Sequence, residues 1–508
     1  MLVSWSPRLI TPKTFVFLLV NPASRPNASI QDNGVKLVDP RGDMLEASWE
    51  TYATNLANAE TTDDFIAVIE VIVKEHIRID QPANVVYARD TRPSGTHLVA
   101  AFQDGLLAIG AHGRDEGITT TPILHYLVRC INTKGTNEAY GEDSIDGYFK
   151  KMTTAFKKLV AKKAKPPPLL VDCANGVGSI ALKKLGEYLG PTLDLIPANT
   201  SINTRGALNH LCGADFVKTN QRLPPSLVNE LKPNQWACSL DGDADRVIYY
   251  YIDDRGNFRL LDGDKIAALV AGFIVDLIKG TGIDNKEVYV GIVQTAYANG
   301  HSTAYLKKRL PVKCVPTGVK YLHHAAERFP IGVYFEANGH GTVLFSPSTL
   351  EALKAYQPNT PAQATCLNYL MDVTNLVNQT VGDALSDMLL VEAVLAHKSY
   401  GAFEWDSTYT DLPNRLVKVA VRNRAEFRTE DAERRLVTPW GMQARVDETV
   451  RKYDEGRSFV RPSGTEDVVR VYAEATDRAH ADELAFKIAG IVYDDAGGDQ
   501  RTRPKEFI

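Results

Sequence analysis

Three aspartates at alternate positions form the residue pattern with the clearest chemical meaning. Residues 241–246 read Asp-Gly-Asp-Ala-Asp-Arg, and the carboxylates of Asp241, Asp243 and Asp245 can converge on one hard cation. Mg²⁺ takes oxygen ligands in an octahedron and usually keeps room for a phosphate oxygen. An EF-hand calcium loop is disfavoured because its later acidic ligand is absent. A solvated acidic turn is the alternative, but the apolar residues 247–252 that follow favour a magnesium site.

A second polar loop near the carboxyl end of the chain has the side chains that an anion needs. It contains Arg461, Ser463, Gly464 and Thr465, and Arg470 follows on a strand-like segment. Guanidinium forks, hydroxyls and backbone amides around a glycine match a phosphate that is bound without being transferred. Because two arginines flank a turn of small residues, the sequence favours a phosphate-binding loop over a merely polar one.

A third loop places Glu336, Asn338 and His340 at alternate positions after an apolar strand-like run. A carboxylate, an amide and an imidazole in this arrangement could bind sugar hydroxyls and move a proton. A single histidine in a glycine-rich loop is more often structural. Both interpretations of this loop stay open at the level of sequence.

Two weaker patterns follow buried strands. Residues 175–178 read Asn-Gly-Val-Gly but lack the full G-x-G-x-x-G of a dinucleotide site, so they predict a tight turn from strand to helix. Residues 89–92 read Arg-Asp-Thr-Arg, which suits a salt-bridged strand end at least as well as a direct role in a site.

Alternating strand and helix patterns predict the elements that hold these loops, and they indicate an α/β fold. Apolar runs at residues 169–173 and 288–293 predict buried parallel strands, the first followed by a helix from about Ser179. A helix is predicted after Asp262, which is a suitable N-cap. Its apolar residues fall on one stripe: Ile266, Leu269, Val270, Phe273, Ile274 and Leu277.

Length and breaks in the pattern predict four domains, because 508 residues exceed one hydrophobic core. The breaks are the proline-rich residues 162–168, the stretch 280–286 and the region near 399–407. After the last break, two strand-like segments and a helix from Ala479 suit a small α+β domain. The predicted domains are 1–165, 166–282, 283–400 and 401–508.

Composition excludes several classes of partner. The formal net charge is −5 and no long basic run occurs, which argues against nucleic acid. Six scattered cysteines without C-x-x-C pairs argue against a zinc site and for a reducing, cytoplasmic location. No apolar run reaches the roughly 20 residues of a membrane helix.

The four loops, in their order along the chain, resemble the α-D-phosphohexomutase superfamily. Residues 294–300, 317–324 and 461–475 are similar to the phosphoacetylglucosamine mutase family within it. The similarity extends from about Gln31 to the carboxyl end. The resemblance implies three α/β domains and a C-terminal α+β domain around a central cleft, a monomer, and a phosphoserine that donates phosphate to a sugar and passes through a sugar bisphosphate.

The resemblance also implies roles for individual residues. Mg²⁺ would be held by Asp241, Asp243 and Asp245, and Arg246 would lie beside the sugar and its phosphates. Sugar hydroxyls would contact Glu336 and Asn338, with His340 close to the transfer and Lys36 as a general acid or base. The phosphate that is not transferred would be held by Arg461, Ser463, Gly464, Thr465 and Arg470.

The amino-terminal segment departs from the pattern of this superfamily. Ser24 follows an alanine, as the phosphoserine of the superfamily does, but the His-Asn-Pro after it is missing and it lies two residues too far from Asp32. Ser24 is the candidate phosphoryl carrier, in a first domain expected to be incomplete at its amino end. The abrupt change suggests an alternative start or a gene-model error, which sequencing the 5′ end of the transcript tests.

The expected activity is interconversion of N-acetylglucosamine 6-phosphate and 1-phosphate, which feeds UDP-N-acetylglucosamine synthesis. Three alternatives stay open. The first is a glucose or mannose phosphomutase, and the second is a sugar-phosphate-binding protein impaired by the altered serine segment. The third is a haloacid-dehalogenase-type phosphatase with Asp241 as its nucleophile, which leaves the loops at Glu336 and Arg461 unexplained.

Overall fold

The computed structural model describes residues 18–20 and 84–507, apart from 109, 285, 464–466 and 498–503, with isolated positions between 55 and 71. The chain divides into two compact units, Met1–Tyr148 and Phe149–Ile508. In the part of the chain that is described, no helix has the length and hydropathy needed to cross a bilayer.

The first unit contains a three-stranded sheet with β2 at its centre. β2 pairs antiparallel with β1 and parallel with β3. Successive residues of β2 point to opposite faces, so that Val85 packs near Leu106 while Val86 packs near Leu124. Both faces are therefore covered by helices. The elements are β1 Leu18–Val20, β2 Asn84–Arg89, α1 Gly95–Ala108, β3 His112–Ile118, α2 Thr121–Thr133 and α3 Ile145–Val160, which contains the boundary between the units.

The second unit begins with a mixed five-stranded sheet in the order β5-β4-β6-β7-β8. β4 is parallel to β5 and β6, whereas β6, β7 and β8 are antiparallel neighbours. The short connection from β6 to β7 therefore lies at the carboxyl ends of β4 and β6, where ligands of open α/β sheets bind. The elements are β4 Leu169–Asp172, α4 Gly178–Leu189, β5 Leu195–Ala198, α5 Ala214–Asn220, β6 Trp236–Leu240, β7 Val247–Ile252 and β8 Phe258–Leu261.

A second mixed sheet in the same unit has the order β10-β9-β11-β12. β9 is parallel to β10 and β11, and β12 is antiparallel to β11. Every residue of β11 and β12 is buried, as expected for strands covered on both faces. The strands are β9 Val290–Gln294, β10 Val312–Cys314, β11 Ile331–Phe335 and β12 Gly341–Phe345.

Seven helices belong to this region. The predicted helix after Asp262 is confirmed, and the Asp262 carboxylate caps it by accepting a hydrogen bond from the Asp264 backbone N–H at 3.0 Å. The helices are α6 Gly263–Thr281, α7 Gly300–Lys307, α8 Val319–Ala326, α9 Pro347–Ala355, α10 Pro361–Leu376, α11 Ala384–Lys398 and α12 Ala402–Asp406, the last within the break predicted near 399–407.

The carboxyl-terminal part is an α+β layer, as predicted. Its antiparallel sheet has the order β13-β17-β16, and one face packs Val417, Val471 and Val460 against the last helix. The elements are β13 Asn414–Ala420, β14 Arg428–Glu430, β15 Arg435–Thr438, α13 Met442–Val450, β16 Arg457–Pro462, β17 Val468–Glu474 and α14 Arg478–Ala496. The α/β class with a terminal α+β domain is therefore confirmed, while the four domain boundaries stay a prediction.

A buried lysine joins helix α6 to the segment that leads into the last sheet. The side chain of Lys265 is 1% exposed, and its ammonium donates to the backbone carbonyl of Asp406 at 2.8 Å and to that of Tyr409. It also lies 3.4 Å from a carboxylate oxygen of Asp406. A buried charge is tolerated because carbonyl and carboxylate oxygens surround it.

Replacing Lys265 with Ala is expected to lower the free energy of unfolding by about 3 to 5 kcal/mol, because it leaves Asp406 as a buried carboxylate with one cation fewer. Denaturant titration measures the change. Lys279→Ala, at an exposed position of the same helix, is the control and is expected to stay within about 0.5 kcal/mol of the unsubstituted chain. Equal effects of the two substitutions would refute this role of Lys265.

Candidate active site

The acidic loop between β6 and β7 brings its three carboxylates together. The ligand oxygens of Asp241, Asp243 and Asp245 all lie within 4.8 Å of one another. The loop is closed by the Asp241 carboxylate, which accepts hydrogen bonds from the backbone N–H groups of Asp245 at 3.0 Å and Arg246 at 3.3 Å. The sequence prediction that these three aspartates converge is therefore confirmed as geometry.

Two other backbone segments hold this loop in place. The backbone N–H of Val177 donates to the Gly242 carbonyl at 3.1 Å, and that of Ala384 donates to the Ala244 carbonyl at 3.2 Å. The turn before α4 approaches so closely that a Cβ at Gly176 would lie 2.4 Å from the Gly242 oxygen. The predicted tight turn at 175–178 is confirmed, and it has the further task of supporting the acidic loop.

A buried aspartate at the end of β4 organises the loops around the acidic loop. One carboxylate oxygen of Asp172 accepts from the backbone N–H of Ala174 at 3.0 Å and from the Asn199 side chain at 2.7 Å. The other accepts from the Gly213 backbone N–H at 2.7 Å and from the Ser239 hydroxyl at 2.7 Å. Asp172 is fully buried. The sequence analysis missed it, although an aspartate that ends an apolar strand was a signal.

The loop from β11 to β12 is joined to the acidic loop by backbone hydrogen bonds. Its own turn is closed by the Glu336 N–H, which donates to the His340 carbonyl at 2.8 Å, and by the Asn338 side-chain oxygen, which accepts from the His340 N–H at 3.0 Å. Arg246 and His340 form an antiparallel bridge, and the Val247 N–H donates to the Gly339 carbonyl at 3.2 Å. The acidic loop and the loop at Glu336 therefore share one site.

The imidazole of His340 contacts a candidate metal ligand. Its Nδ1 lies 3.1 Å from a carboxylate oxygen of Asp245, and its side chain is 6% exposed. Burial lowers the pKa of His340, but the attraction and hydrogen bond to Asp245 outweigh burial, so the pKa lies above its ordinary value. The Nε2 atom is buried and has no hydrogen-bond partner among the described residues. This histidine is therefore fixed at one nitrogen, and its other nitrogen packs against Gly382, where a Cβ would lie 2.7 Å from it.

The charge of the acidic loop fits a divalent cation. Burial raises the pKa of Asp241 well above its ordinary range, and repulsion from Asp245 and Asp243 adds to that rise. One buried oxygen of Asp245 has no hydrogen-bond partner among the described residues. Three converging carboxylates that repel one another match the oxygen donors that Mg²⁺ takes. The residues present therefore fit this ion.

Arg246 supplies the cation next to the three carboxylates. Its guanidinium lies 2.8 Å from Asp215, 3.6 Å from Asp245 and 3.8 Å from Asp241. Burial opposes the charged form, yet attraction to Asp241 and Asp215 keeps the pKa of Arg246 above its ordinary value. The side chain is 21% exposed, so part of the guanidinium faces the solvent side of the loop.

The last sheet lines up three cations on one face. Arg461 on β16 lies directly opposite Arg470 on β17, and Arg470 lies opposite Lys418 on β13. Like charges at opposite positions repel each other, and at one end of the row the Glu433 carboxylate lies 3.1 Å from Arg461. Ser463 continues the strand into the loop, and its backbone carbonyl accepts from Arg424 at 2.8 Å. Gly464 and Thr465 lie outside the described residues.

Two predicted site residues and one weaker pattern from the sequence remain to be placed. Ser24 and Lys36 lie outside the described residues, so their placement stays a prediction. At the strand end predicted from residues 89–92, Asp90 accepts from the backbone N–H and the guanidinium of Arg92, at 2.8 and 2.6 Å. The salt-bridged interpretation of this segment is confirmed, whereas a direct role in the site is not tested.

Sequence models of known families match most of the chain. Residues 52–136 match "Phosphoglucomutase/phosphomannomutase, alpha/beta/alpha domain I", and residues 416–491 match the C-terminal domain of the same family. Residues 136–248 and 262–400 match domains II and III of "Phosphoacetylglucosamine mutase AMG1". The fold is thus that of the phosphohexomutase superfamily.

Individual relatives narrow the assignment. The phosphoacetylglucosamine mutases of Sus scrofa and Homo sapiens are 47% and 46% identical to the chain, each over 97% of it and 90% of the relative. The solved structure of Aspergillus fumigatus N-acetylphosphoglucosamine mutase with glucose 1,6-bisphosphate has a TM-score of 0.84 and 50% identity, covering 91% of the chain and 85% of that structure. The chain belongs to the phosphoacetylglucosamine mutase family.

Replacing Asp172 with Ala is expected to lower the free energy of unfolding by about 3 kcal/mol or more, because four donors, three of them buried, lose their carboxylate acceptor. Unfolding in urea measures the loss. The control is Asp194→Ala, which removes an ion pair with Lys165 whose side chains are both about half exposed and is expected to cost less than about 1 kcal/mol. A loss below 1 kcal/mol for the Asp172 variant would contradict its organising role.

Proposed function

We propose that the chain interconverts N-acetylglucosamine 6-phosphate and N-acetylglucosamine 1-phosphate. The observation that supports this most directly is the joining of the acidic loop to the loop at Glu336 through the pair His340 and Asp245. That joint puts metal ligands, a hydroxyl-binding loop and an imidazole within one site. Phosphate transfer to a sugar hydroxyl needs all three in fixed geometry, since positioning and charge neutralisation dominate such reactions.

The reaction proceeds in two reciprocal transfers. The bond from phosphorus to the serine oxygen breaks as a bond to the sugar hydroxyl forms, and the hydroxyl proton passes to a general base. The resulting sugar bisphosphate reverses its orientation in the site, and its other phosphate is then transferred to the serine. We assign the serine to Ser24 and the general acid or base to Lys36, with His340 close to the transferred group.

The acidic loop provides the metal site. Asp241, Asp243 and Asp245 would hold Mg²⁺, which supplies charge neutralisation at the phosphoserine when it is bound. Glu336 and the Asn338 amide bind sugar hydroxyls. The hydrogen bonds that close their turn hold the two residues close together. Arg246 stabilises negative charge on the phosphates, because its guanidinium is held between the aspartates and the open side of the loop.

The row of cations on the last sheet binds the phosphate that is not transferred. Arg461 and Arg470 supply guanidinium donors, and Ser463, Gly464 and Thr465 supply hydroxyls and backbone amides. An anion at this row relieves the repulsion between opposite arginines. The bisphosphate thereby has one phosphate at the metal side and the other at the last sheet.

Complexes of a relative support the choice of ligands. The Aspergillus fumigatus enzyme has been solved with N-acetylglucosamine 6-phosphate and magnesium, at a TM-score of 0.82 and 50% identity, covering 90% of the chain and 85% of that structure. For this chain we infer the same substrate, the same metal and a bisphosphate intermediate. We further propose a cytoplasmic monomer that feeds UDP-N-acetylglucosamine synthesis, with domains 1–165, 166–282, 283–400 and 401–508.

The purified chain is expected to form N-acetylglucosamine 1-phosphate from the 6-phosphate in the presence of Mg²⁺ and traces of glucose 1,6-bisphosphate. Chelation with EDTA is expected to abolish the activity. Asp243→Asn is expected to lower kcat by at least about 100-fold, because a neutral ligand weakens the metal site. A coupled assay measures the product.

Asp104→Asn, at an exposed position of helix α1, is the control for the removal of one charge. Full activity of the Asp243 variant, or of the unsubstituted chain in EDTA, would overturn the metal assignment. Assays with glucose and mannose phosphates in parallel distinguish the acetamido preference from a general hexose phosphomutase.

Ser24 is expected to become phosphorylated when the chain is incubated with glucose 1,6-bisphosphate and Mg²⁺. Peptide mass spectrometry of residues 21–36 measures the added phosphate, and Ser24→Ala is expected to remove both the phosphate and the activity. Ser29→Ala is the matched control and is expected to retain both. Phosphate on another residue, with turnover intact, would show that Ser24 is not the carrier.

A further inference from the structure

The hairpin between β14 and β15 turns through an uncommon backbone conformation. Asp431, Ala432 and Glu433 have φ values of 51°, 54° and 67°, and none of them is glycine. Residues with a Cβ adopt this left-handed region rarely and as single residues, so three in succession need a compensating interaction. Such local strain is found where the structure requires one side chain in one place.

The side chain that this turn presents is the Glu433 carboxylate. One of its oxygens lies 3.1 Å from Nη2 of Arg461, and the other accepts a hydrogen bond from the Thr317 backbone N–H at 2.8 Å. The side chains of Glu433 and Arg461 are 16% and 9% exposed. One carboxylate therefore connects the turn before α8 to the arginine that begins the phosphate-binding loop.

Glu433 engages only part of the Arg461 guanidinium. A guanidinium carries five N–H donors in a planar fork. Glu433 lies at Nη2, and the centre of the Tyr297 ring lies 5.8 Å from the guanidinium carbon. The carboxylate therefore fixes the orientation of the fork through one nitrogen and cannot use all five of its donors.

We propose that Glu433 is a positioning residue for substrate phosphate, which acts by fixing the orientation of the Arg461 guanidinium. The proposal rests on the proposed function, because the phosphate it serves is the one that is not transferred. Carboxylates that orient a ligand-binding side chain from behind play the same part around metal sites. Glu433 also fixes the distance between the turn at Thr317 and Arg461, since it bonds to both.

The competing interpretation is that Glu433 is an internal substitute for phosphate that substrate must displace. The two interpretations predict opposite changes in phosphate affinity when Glu433 is replaced. Loss of a positioning carboxylate releases the guanidinium and weakens phosphate binding, whereas loss of a competitor strengthens it. The hydrogen bond from the Thr317 N–H favours positioning, because it holds the Glu433 carboxylate in place independently of Arg461.

The test is steady-state kinetics of Glu433→Ala and Glu433→Gln in the full chain. We expect KM for the sugar phosphate to rise about 5- to 20-fold in the alanine variant and less in the glutamine variant, with kcat within about twofold, because binding at the remote phosphate is lost equally in ground and transition states. Glu430→Gln is the control, at an exposed position of the same hairpin. A KM that falls, or a KM that is unchanged while the melting temperature drops, overturns the proposal.

A double-mutant cycle with Arg461→Lys tests whether Glu433 acts through the guanidinium. We expect Glu433→Ala to change KM less than twofold in that background, because the fork that it positions is gone. An undiminished effect of Glu433→Ala there overturns the proposal. Calorimetric titration with inorganic phosphate compares the phosphate affinity of the unsubstituted chain with that of the Glu433→Ala variant without any turnover. Absence of mutase activity would overturn the proposed function, whereas the titration would still decide the role of Glu433.

Discussion

The mutual repulsion of three aspartates is the constraint on which the rest of the second unit depends. The ligand oxygens of Asp241, Asp243 and Asp245 lie within 4.8 Å of one another at a partly buried position, so the hydrogen bonds within their loop are supplemented by bonds from other segments. The turn at Gly176, the start of α11 and the loop at His340 each supply a backbone hydrogen bond to it or to its flank. Two sheets and a helix are thereby arranged around a single concentration of negative charge.

The sequence predicted those parts of the fold and site that depend on local pattern. The apolar stripe and N-cap of α6, the strand before Asp172 and the α+β character of the last region follow from periodicity, which reflects local geometry. Convergence of the three aspartates could also be predicted, since alternate positions in a tight loop face one point. The predicted break near 399–407 missed helix α12, whose five residues are too few to show a period.

The features that the sequence did not predict arise from contacts distant along the chain. Asp172 contacts Ser239 and Gly213, and Glu433 contacts Arg461 and Thr317, and no local pattern encodes such partners. The conformation of Glu433 shows the same limit, because three successive left-handed residues without glycine run against backbone propensity. Tertiary contacts override local preference at such positions, and these are where functional residues concentrate.

In the function that we propose, the row of Lys418, Arg470 and Arg461 binds a substrate phosphate, and this binding would also change the stability of the last sheet. A ligand that binds only the folded protein raises its stability in proportion to its occupancy. Under the proposed function, the carboxyl-terminal layer would therefore resist unfolding more strongly as sugar phosphate occupies the row, and its stability would follow the concentration of substrate. Sulfate and phosphate from buffers would stabilise the layer in the same way, because their oxygens can accept hydrogen bonds from the same arginine and lysine side chains.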